Sequence, residues 1–253
     1  MDYGYRMLIL LPPSETKAFP TAGPPLNLSE LPFPTLSDVR SSILSDLISL
    51  CSTTPDTALD LLKLSSRQTG EVSANADLRS AATAPALQVY TGVLFDALEP
   101  ASLPPEAHRV LTIGSALFGL VAGSDAIPHY RLSATSKVPH PDGSTPTMRA
   151  RWGRTITDAL GDLDAGLIVD LRSGGYRNLG KPPQDVPSLE VRVVTAAGKV
   201  VSHFNKHYKG QLARALALSG EHPASATELV EVAQAAGFAA QALSPQQVEL
   251  TVS

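Results

Sequence analysis

The chain has 253 residues, of which 43% are apolar and 17% charged, and its formal net charge is −4. This length and apolar content predict a globular protein with a sizeable core rather than a disordered chain. The net charge argues against a surface that is basic all over, although it leaves a local basic cleft open. The single cysteine, Cys51, rules out an internal disulfide and a cysteine-based metal site, so we expect it to be a buried thiol.

The first predicted element is a buried strand at residues 7–11, MLILL, which two prolines stop. The strand runs into PPSETK, which places Ser14, Glu15 and Lys17 where open α/β sheets commonly bind ligands. A glutamate and a lysine at this position could form an acid/base pair or place a carboxylate beside an anion site. A capping segment with a surface salt bridge is the structural alternative.

Several helices are predicted after a loop at residues 19–34. One helix begins with Ser37 as its N-cap, and a second begins at Pro55. Residues 65–81 predict two short helical pieces around a turn at Gly70, similar to a helix-hairpin-helix element that offers backbone N–H groups to phosphate. The acidic residues of this segment favour a purely structural helix pair.

Two apolar segments with polar interruptions follow. Residues 86–98 are interrupted at Tyr90, whose hydroxyl could line a pocket or simply be satisfied in the core. Residues 109–123 predict a strand followed by a short apolar helix, without a dinucleotide-binding fingerprint. The next loop carries Tyr130 and Arg131, a pair that can stack on a base or clamp an anion but that also occurs on ordinary surfaces.

The C-terminal half predicts a helix from Thr147 to Leu160 and a buried strand at residues 165–171. A hairpin is predicted from strands at residues 189–194 and 199–204, followed by the segment SHFNKHYKGQLARALA. A helix at residues 224–236 and a terminal strand pair end the chain. The polar residues that follow the two buried strands are Asp170, Arg172, Ser173, Tyr176, Asn205, Lys206 and Lys209.

Polar groups thus recur at the ends of buried segments, which predicts one cleft lined from several elements. We expect a single domain over residues 1–253 with a mixed α/β fold, in which helices flank a mixed sheet and residues 1–6 form a flexible N-terminal extension. His203 and His207 are four residues apart but no HExxH motif accompanies them, so we expect no metal site and no cofactor. No apolar run approaches the roughly eighteen residues of a membrane span. We therefore expect a cytoplasmic protein, monomeric and without a membrane partner.

Five segments occur in a fixed order along the chain, namely PPSETK, VYTGVLFDAL, SALFGLVAGSDAIPHYRLS, DLRSGGY and SHFNKHYKGQLARAL. Together they resemble the YaaA family, which is associated with bacterial peroxide stress, and in particular its actinobacterial branch. The resemblance implies a compact single-domain α/β fold with a helix-hairpin-helix-like element and a positively charged cleft that binds DNA, including distorted duplex. It also implies a role in limiting oxidative DNA damage and free iron. The matching positions are Ser14, Lys17, Tyr90, Gly92, Tyr130, Arg131, Asp170, Ser173, Tyr176, Lys206 and Lys209.

Two hypotheses about function remain open from the sequence. In the first, the protein binds DNA mainly through its phosphates, with Ser14, Lys17, Tyr130, Arg131, Arg172, Ser173, Asn205, Lys206 and Lys209 as binding residues. In the second, it is an enzyme acting on a nucleotide, a damaged base or another small anionic molecule, with Glu15, Lys17, Tyr90, Asp170 and Tyr176 as catalytic candidates. A third reading is that these groups only satisfy buried strand ends.

Overall fold

The computed structural model describes residues 7–198 and 202–252, and the predicted N-terminal extension lies outside them. The strands are β1 Leu8–Leu11, β2 Thr83–Pro85, β3 Leu111–Ser115, β4 Gly119–Ala122, β5 Ala126–Pro128, β6 Ile168–Asp170, β7 Ser188–Thr195, β8 Ala239–Ser244 and β9 Gln247–Val252. The helices are α1 Ser37–Thr53, α2 Pro55–Leu62, α3 Thr69–Ala76, α4 Ala86–Val89, α5 Val93–Leu98, α6 Pro105–His108, α7 Met148–Trp152, α8 Thr155–Gly161, α9 Gly174–Arg177, α10 Ser202–Ser219 and α11 Ala226–Ala235.

Seven strands form the main sheet in the order β4-β3-β1-β6-β7-β9-β8. The five inner strands are parallel to one another, whereas β4 and β8 run antiparallel at the two edges. Strands β2 and β5 form a separate antiparallel pair. The predicted mixed α/β fold is therefore confirmed. Among the described residues, no helix is long and apolar enough to cross a membrane.

Strand β1 is the centre around which the site is arranged. All four of its residues are buried, as a strand covered on both faces requires. Its register places Ile9 opposite Leu111 of β3 on one side and opposite Val169 of β6 on the other. Strand β1 therefore has a parallel neighbour on each side, and the chain connects first to one side of it and later to the other. Parallel sheets bind ligands beside the carboxyl ends of strands at a point where the chain changes sides in this way.

The segment after β3 is a second strand and not the predicted helix. Strands β3 and β4 form a hairpin in which Ser115 pairs with Gly119. Gly119 has φ = +71°, a left-handed conformation that favours glycine, and a Cβ there would lie 2.9 Å from the Trp152 ring. The prediction was wrong because the short apolar run LFGLVA carries no helical period, and Gly119 supplies a turn.

The predicted hairpin at residues 189–204 is also wrong. Strand β7 pairs in parallel with β6 on one side and with β9 on the other, so in the described chain it has no antiparallel hairpin partner. The residues of β9 come more than fifty positions after their partners in β7. Residues 199–201 lie outside the described chain, and α10 begins at Ser202. The strand-like composition around residue 200 therefore precedes a helix, and the terminal pair β8–β9, which was predicted, completes the sheet instead.

Glycines decide the remaining differences among the helices. Gly70 lies in the first turn of α3, so the predicted hairpin of two helical pieces around it is wrong. The helix predicted from Thr147 to Leu160 is divided into α7 and α8 at Gly153, whose φ is +53°. Gly92, with φ = +89°, separates α4 from α5, so the apolar segment at residues 86–98 forms two short helices with Tyr90 at the end of the first. Helix α1 begins at Ser37, but its N-cap residue is Leu36.

The lone thiol lies in the helical layer. Cys51 on α1 is buried, as predicted, and burial raises its pKa to about 11 against an opposing hydrogen bond with Asn75 of α3. Helices α5 and α10 also approach closely, since a Cβ on Gly210 would lie 2.2 Å from the Leu94 carbonyl oxygen. Helix α10 is thus held against the element that follows Tyr90.

Candidate functional site

Four segments meet at the carboxyl edge of the sheet. Residues 14–17 follow β1, Ser115 ends β3, residues 129–131 follow β5, and residues 170–177 end β6 and form α9. A backbone bridge between Lys17 and Tyr90 adds the end of α4 to this group. Segments that were predicted to line one cleft therefore lie next to one another at this edge of the sheet.

Lys17 is the central group of this edge. Its side chain is only 8% exposed, and its ammonium donates to the Ser14 carbonyl at 2.8 Å. The same nitrogen lies 4.3 Å from the centre of the Tyr130 ring and 5.3 Å from that of Tyr90. In the described part of the chain, no carboxylate lies within ion-pair distance of it.

The surroundings of Lys17 favour its neutral amine. Burial, together with the nearby Arg131 charge, lowers its pKa from 10.5 to about 7, while Glu71 and Glu15 act in the opposite direction. Buried lysines are usually paired with carboxylates. Lys17 therefore offers a nucleophile or base near neutral pH rather than a fixed positive charge.

A chain of three hydroxyl groups lies beside the lysine. Ser115 Oγ accepts hydrogen bonds from the backbone N–H groups of Leu117 and Phe118, and it lies 2.7 Å from Tyr130 Oη. Tyr130 Oη is in turn 2.7 Å from Tyr90 Oη. Because both acceptor positions of Ser115 are occupied, its proton goes to Tyr130, and the proton of Tyr130 goes to Tyr90. The hydroxyl proton of Tyr90 is thereby left to donate to a group outside this chain of three hydroxyls.

All three tyrosines of the site are held in the phenol form. Burial raises the pKa of Tyr90 and of Tyr130 well above the usual value of 10. Tyr176 on α9 lies close enough to raise both further, and burial brings its own pKa to about 12. These groups therefore act as hydrogen-bond donors at neutral pH, not as phenolates.

An outer layer of polar side chains covers Lys17. Arg131 donates to the backbone oxygen of Glu15 at 2.8 Å and to its carboxylate at 2.9 Å. His129 contacts the Lys17 carbonyl through Nδ1 and the Glu71 carboxylate through Nε2, at 3.2 and 2.7 Å. The Glu15 side chain is 72% exposed, so this pair is open to solvent on its acidic side.

Helix α3 has a clear purpose in this arrangement. Asn75 binds both backbone groups of Arg131, donating to its oxygen at 2.8 Å and accepting from its nitrogen at 2.9 Å. Glu71, one helical turn earlier, holds His129. The acidity of this segment, which counted against a phosphate grip, therefore serves to fix the loop that carries Tyr130.

A second charged cluster surrounds Asp170 at the end of β6. The Asp170 carboxylate, 2% exposed, accepts from Arg172 Nε at 2.9 Å and from Arg172 Nη2 at 2.8 Å. Arg177 donates to the same carboxylate at 3.2 Å and also pairs with Glu190. The Arg172 stem passes Gly114, where a Cβ would approach it to 2.8 Å. Asp170 is therefore an internal counter-ion for two arginines.

The basic segment of α10 is split between core and surface. Lys209 donates to the Leu171 carbonyl at 3.2 Å, and burial lowers its pKa, with Asp170 and Glu190 opposing. Lys206, one turn earlier, is exposed. Asn205 Oδ1 is buried and has no hydrogen-bond partner among residues 7–198 and 202–252.

The remaining predicted binding residues lie at the margins of this edge. Ser14 is half-buried, and its hydroxyl donates to the Thr16 carbonyl and accepts from the Thr91 backbone. Ser173 is exposed directly before α9. Both serines lie next to residues that carry charged or nucleophilic groups. The contacts of the two serines themselves do not indicate a catalytic or binding function.

Sequence reasoning missed several residues that complete the site. Ser115, His129, Glu71 and Asn75 were not singled out as site residues, and neither was Arg177. Only Ser115 carried a usable signal, because it directly ends a buried strand. The partners on α3 come from more than fifty residues away and were not accessible from local pattern.

No metal centre is visible in the part of the chain that is described, since no three His, Cys, Asp or Glu side chains there are grouped to hold an ion. A groove of about 580 Å³ lies at the opposite, amino-terminal edge of β6, β7 and β9. Its lining side chains are apolar or uncharged. The titratable and nucleophilic side chains described above are therefore concentrated at the carboxyl edge of the sheet and not in this groove.

Comparison with known proteins identifies relatives along most of the chain. The family model described as peroxide stress protein YaaA matches residues 7–243. A UPF0246 protein of Corynebacterium efficiens is 52% identical over 250 residues, which cover 97% of this chain and 99% of the relative. UPF0246 proteins of Corynebacterium glutamicum and Streptomyces coelicolor are 48% and 40% identical, covering 92% and 94% of this chain and 94% of each relative. The chain therefore belongs to the YaaA family of peroxide stress proteins.

Proposed function

We propose that the protein acts in the hydrogen peroxide stress response as an enzyme that uses Lys17 on a nucleotide, a damaged base or another small anionic substrate. The observation that carries the proposal is the buried amine of Lys17, which lies against two aromatic rings without a carboxylate partner in the described chain. The description of the family supports the stress response. Perturbed groups of this kind concentrate at functional sites.

A purely structural lysine would be an uneconomical feature here. A methionine or leucine would fill the same space between the rings without the cost of removing an ammonium from water. The cation–π contacts favour the ammonium and offset part of that cost, but burial outweighs them and lowers the pKa to about 7. An amine that must be neutral to react gives a physical reason for the arrangement.

The arginine next to Lys17, Arg131, supports an anionic substrate. Arg131 is tied to Glu15, whose exposed carboxylate occupies the position that a substrate phosphate or carboxylate would take. A guanidinium binds both kinds of anion in the same bidentate manner. We propose that substrate displaces Glu15 from Arg131, which brings the reacting group to Lys17.

The proposal is tested by the ability of variants to protect cells from peroxide. Lys17→Met keeps a similar side-chain volume and removes the amine. We expect this variant to give no protection against peroxide when it is expressed in a strain that lacks its own YaaA-family protein. The matched control Lys63→Met, at an exposed lysine that ends α2, should protect as the unaltered chain does. Full protection by a folded Lys17→Met chain would contradict the proposal.

DNA binding is the second candidate, and basic residues support it. Arg131, Arg172, Arg177 and Lys209 gather at one edge although the whole chain has a net charge of −4. Exposed Lys206 extends this group toward the surface. In this proposal the protein, a cytoplasmic monomer, binds duplex or distorted DNA and limits oxidative DNA damage and free iron.

This second candidate predicts a strong dependence of affinity on salt. The logarithm of the DNA affinity should fall by about 0.9 per phosphate contact for each tenfold rise in salt. We expect Lys206→Ala to reduce that slope by about one contact. Arg154→Ala, at an exposed arginine between α7 and α8, is the matched control and should leave the slope unchanged. Binding to fluorescent duplex and bubble DNA measures this, and a slope of zero would rule the candidate out.

A further inference from the structure

We infer that Lys17 forms an imine with the aldehyde or ketone carbon of a substrate that also carries a phosphate. This inference rests on the proposed lysine enzyme and names the class of its substrate. Two sources share the chemistry, namely an abasic site in DNA, whose open sugar is an aldehyde between phosphates, and a free sugar phosphate. The experiment below distinguishes them.

The position of the Lys17 nitrogen fits both the reactant and the product of imine formation. The neutral amine is favoured because rings and backbone surround it, as its single described hydrogen bond to the Ser14 carbonyl indicates. The Tyr130 ring, 4.3 Å away, attracts a cation in either form, but a protonated imine has one N–H where an ammonium has three and so loses less hydration when it is buried. The pocket therefore favours the nucleophile before reaction and the cation after it.

The hydroxyl chain supplies a hydrogen bond to the substrate carbonyl, and solvent supplies the one net proton that the reaction needs. The Lys17 lone pair attacks the carbonyl carbon, and the carbonyl oxygen takes a proton to give a carbinolamine. The C–O bond then breaks, and the oxygen leaves as water after a second proton transfer. One amine, one carbonyl and one proton thus give one protonated imine and one water, without oxidation or reduction. Tyr90 is suited to donate a hydrogen bond to the carbonyl oxygen, because its proton is the last in the chain from Ser115 and its raised pKa keeps it a phenol.

Charges around Lys17 set the pH range of the reaction. The titratable groups that face it are Arg131 from the loop after β5, Glu71 from α3, Glu15 from its own segment and the two phenols. Arg131 opposes protonation and the carboxylates favour it, with the balance toward the neutral amine. Trapping should therefore rise through about pH 7, whereas an exposed lysine would react only toward its ordinary pKa near 10.4.

The imine is tested by reductive trapping with cyanoborohydride. The full-length chain is incubated with a duplex that contains one abasic site or, separately, with glyceraldehyde 3-phosphate, and adducts are located by peptide mass mapping. We expect one adduct per chain, on Lys17, lost in Lys17→Met and kept in Lys63→Met. Tyr90→Phe should slow trapping without moving the adduct. Mapping on the unaltered chain makes the result independent of whether Lys17→Met folds.

Each outcome decides between the alternatives. An adduct on Lys17 with the duplex alone identifies a DNA lesion as the substrate, and one with the triose phosphate alone identifies a free sugar phosphate. Adducts spread over exposed lysines, or none at all, would overturn the imine. If the chain fails to trap while Lys17→Met still abolishes protection in cells, the proposed enzyme stands and only the imine fails. If Lys17→Met protects fully, the proposed function fails as well.

Discussion

Replacing Asp170 with asparagine should lower the free energy of unfolding by about 3–5 kcal/mol, because it removes the charge that compensates two buried or half-buried arginines. Arg172 is only 1% exposed and would be left without its bidentate partner. For a chain of this size we expect the melting temperature to fall by roughly 10 °C. Thermal and chemical denaturation at neutral pH measure both quantities.

The neighbouring carboxylate provides the control for this prediction. Glu190 pairs with the same Arg177 but is 46% exposed, so Glu190→Gln should cost about 1 kcal/mol or less. A loss below 1 kcal/mol in Asp170→Asn would contradict the counter-ion role. The prediction also affects how activity is interpreted, since an inactive Asp170→Asn chain does not show that this carboxylate takes part in chemistry.

The stability of the protein should increase as pH rises above 7, and Lys17→Met should remove much of that increase. The pKa of Lys17 falls from 10.5 in the unfolded chain to about 7 in the folded protein, so between these values the unfolded chain binds more protons. Stability therefore rises with pH in this window, and the cost of burying the ammonium is full only below pH 7. Integrated from pH 7 to pH 9, the Lys17 contribution is about 2 kcal/mol.

Urea denaturation at several pH values between 6 and 9 would measure this dependence. The informative quantity is the difference between the unaltered chain and Lys17→Met, because other groups contribute equally to both. We expect that difference to change by about 2 kcal/mol in favour of lysine as pH rises from 7 to 9. Lys206→Met should show no such change, and a flat difference for Lys17→Met would mean that its ammonium is not destabilised by burial.

Local sequence pattern correctly predicted those elements that can be recognised without knowing which distant segment they pair with. The apolar run of β1 and its stop at two prolines are enough to define a buried strand, and Pro55 correctly begins α2. Strand β7 was recognised, but its pairing was not, because its parallel partner β9 lies at the other end of the chain. Gly119 was read as part of a helix, since its turn conformation depends on pairing between β3 and β4.

The candidate site was partly predictable for the same reason. Lys17 follows β1 and Asp170 ends β6, and parallel neighbours bring their carboxyl ends together. The tie between α3 and the loop of Tyr130 was not predictable, because Glu71 and Asn75 make contacts that no local pattern specifies. Burial also decides between the two lysines of α10, since both read equally as ligands in the sequence while Lys209 is fixed on the Leu171 carbonyl.

The buried thiol of Cys51 bears on how the protein survives the oxidant that its family name invokes. Peroxide attacks thiolates, and a thiol with a pKa of about 11 is ionised in only about one molecule in ten thousand at pH 7. Met7 and Met148, the two methionines of the described chain, are buried as well. Burial therefore shields the sulfur atoms of the described residues from the reactions with peroxide that give sulfenic acid and methionine sulfoxide.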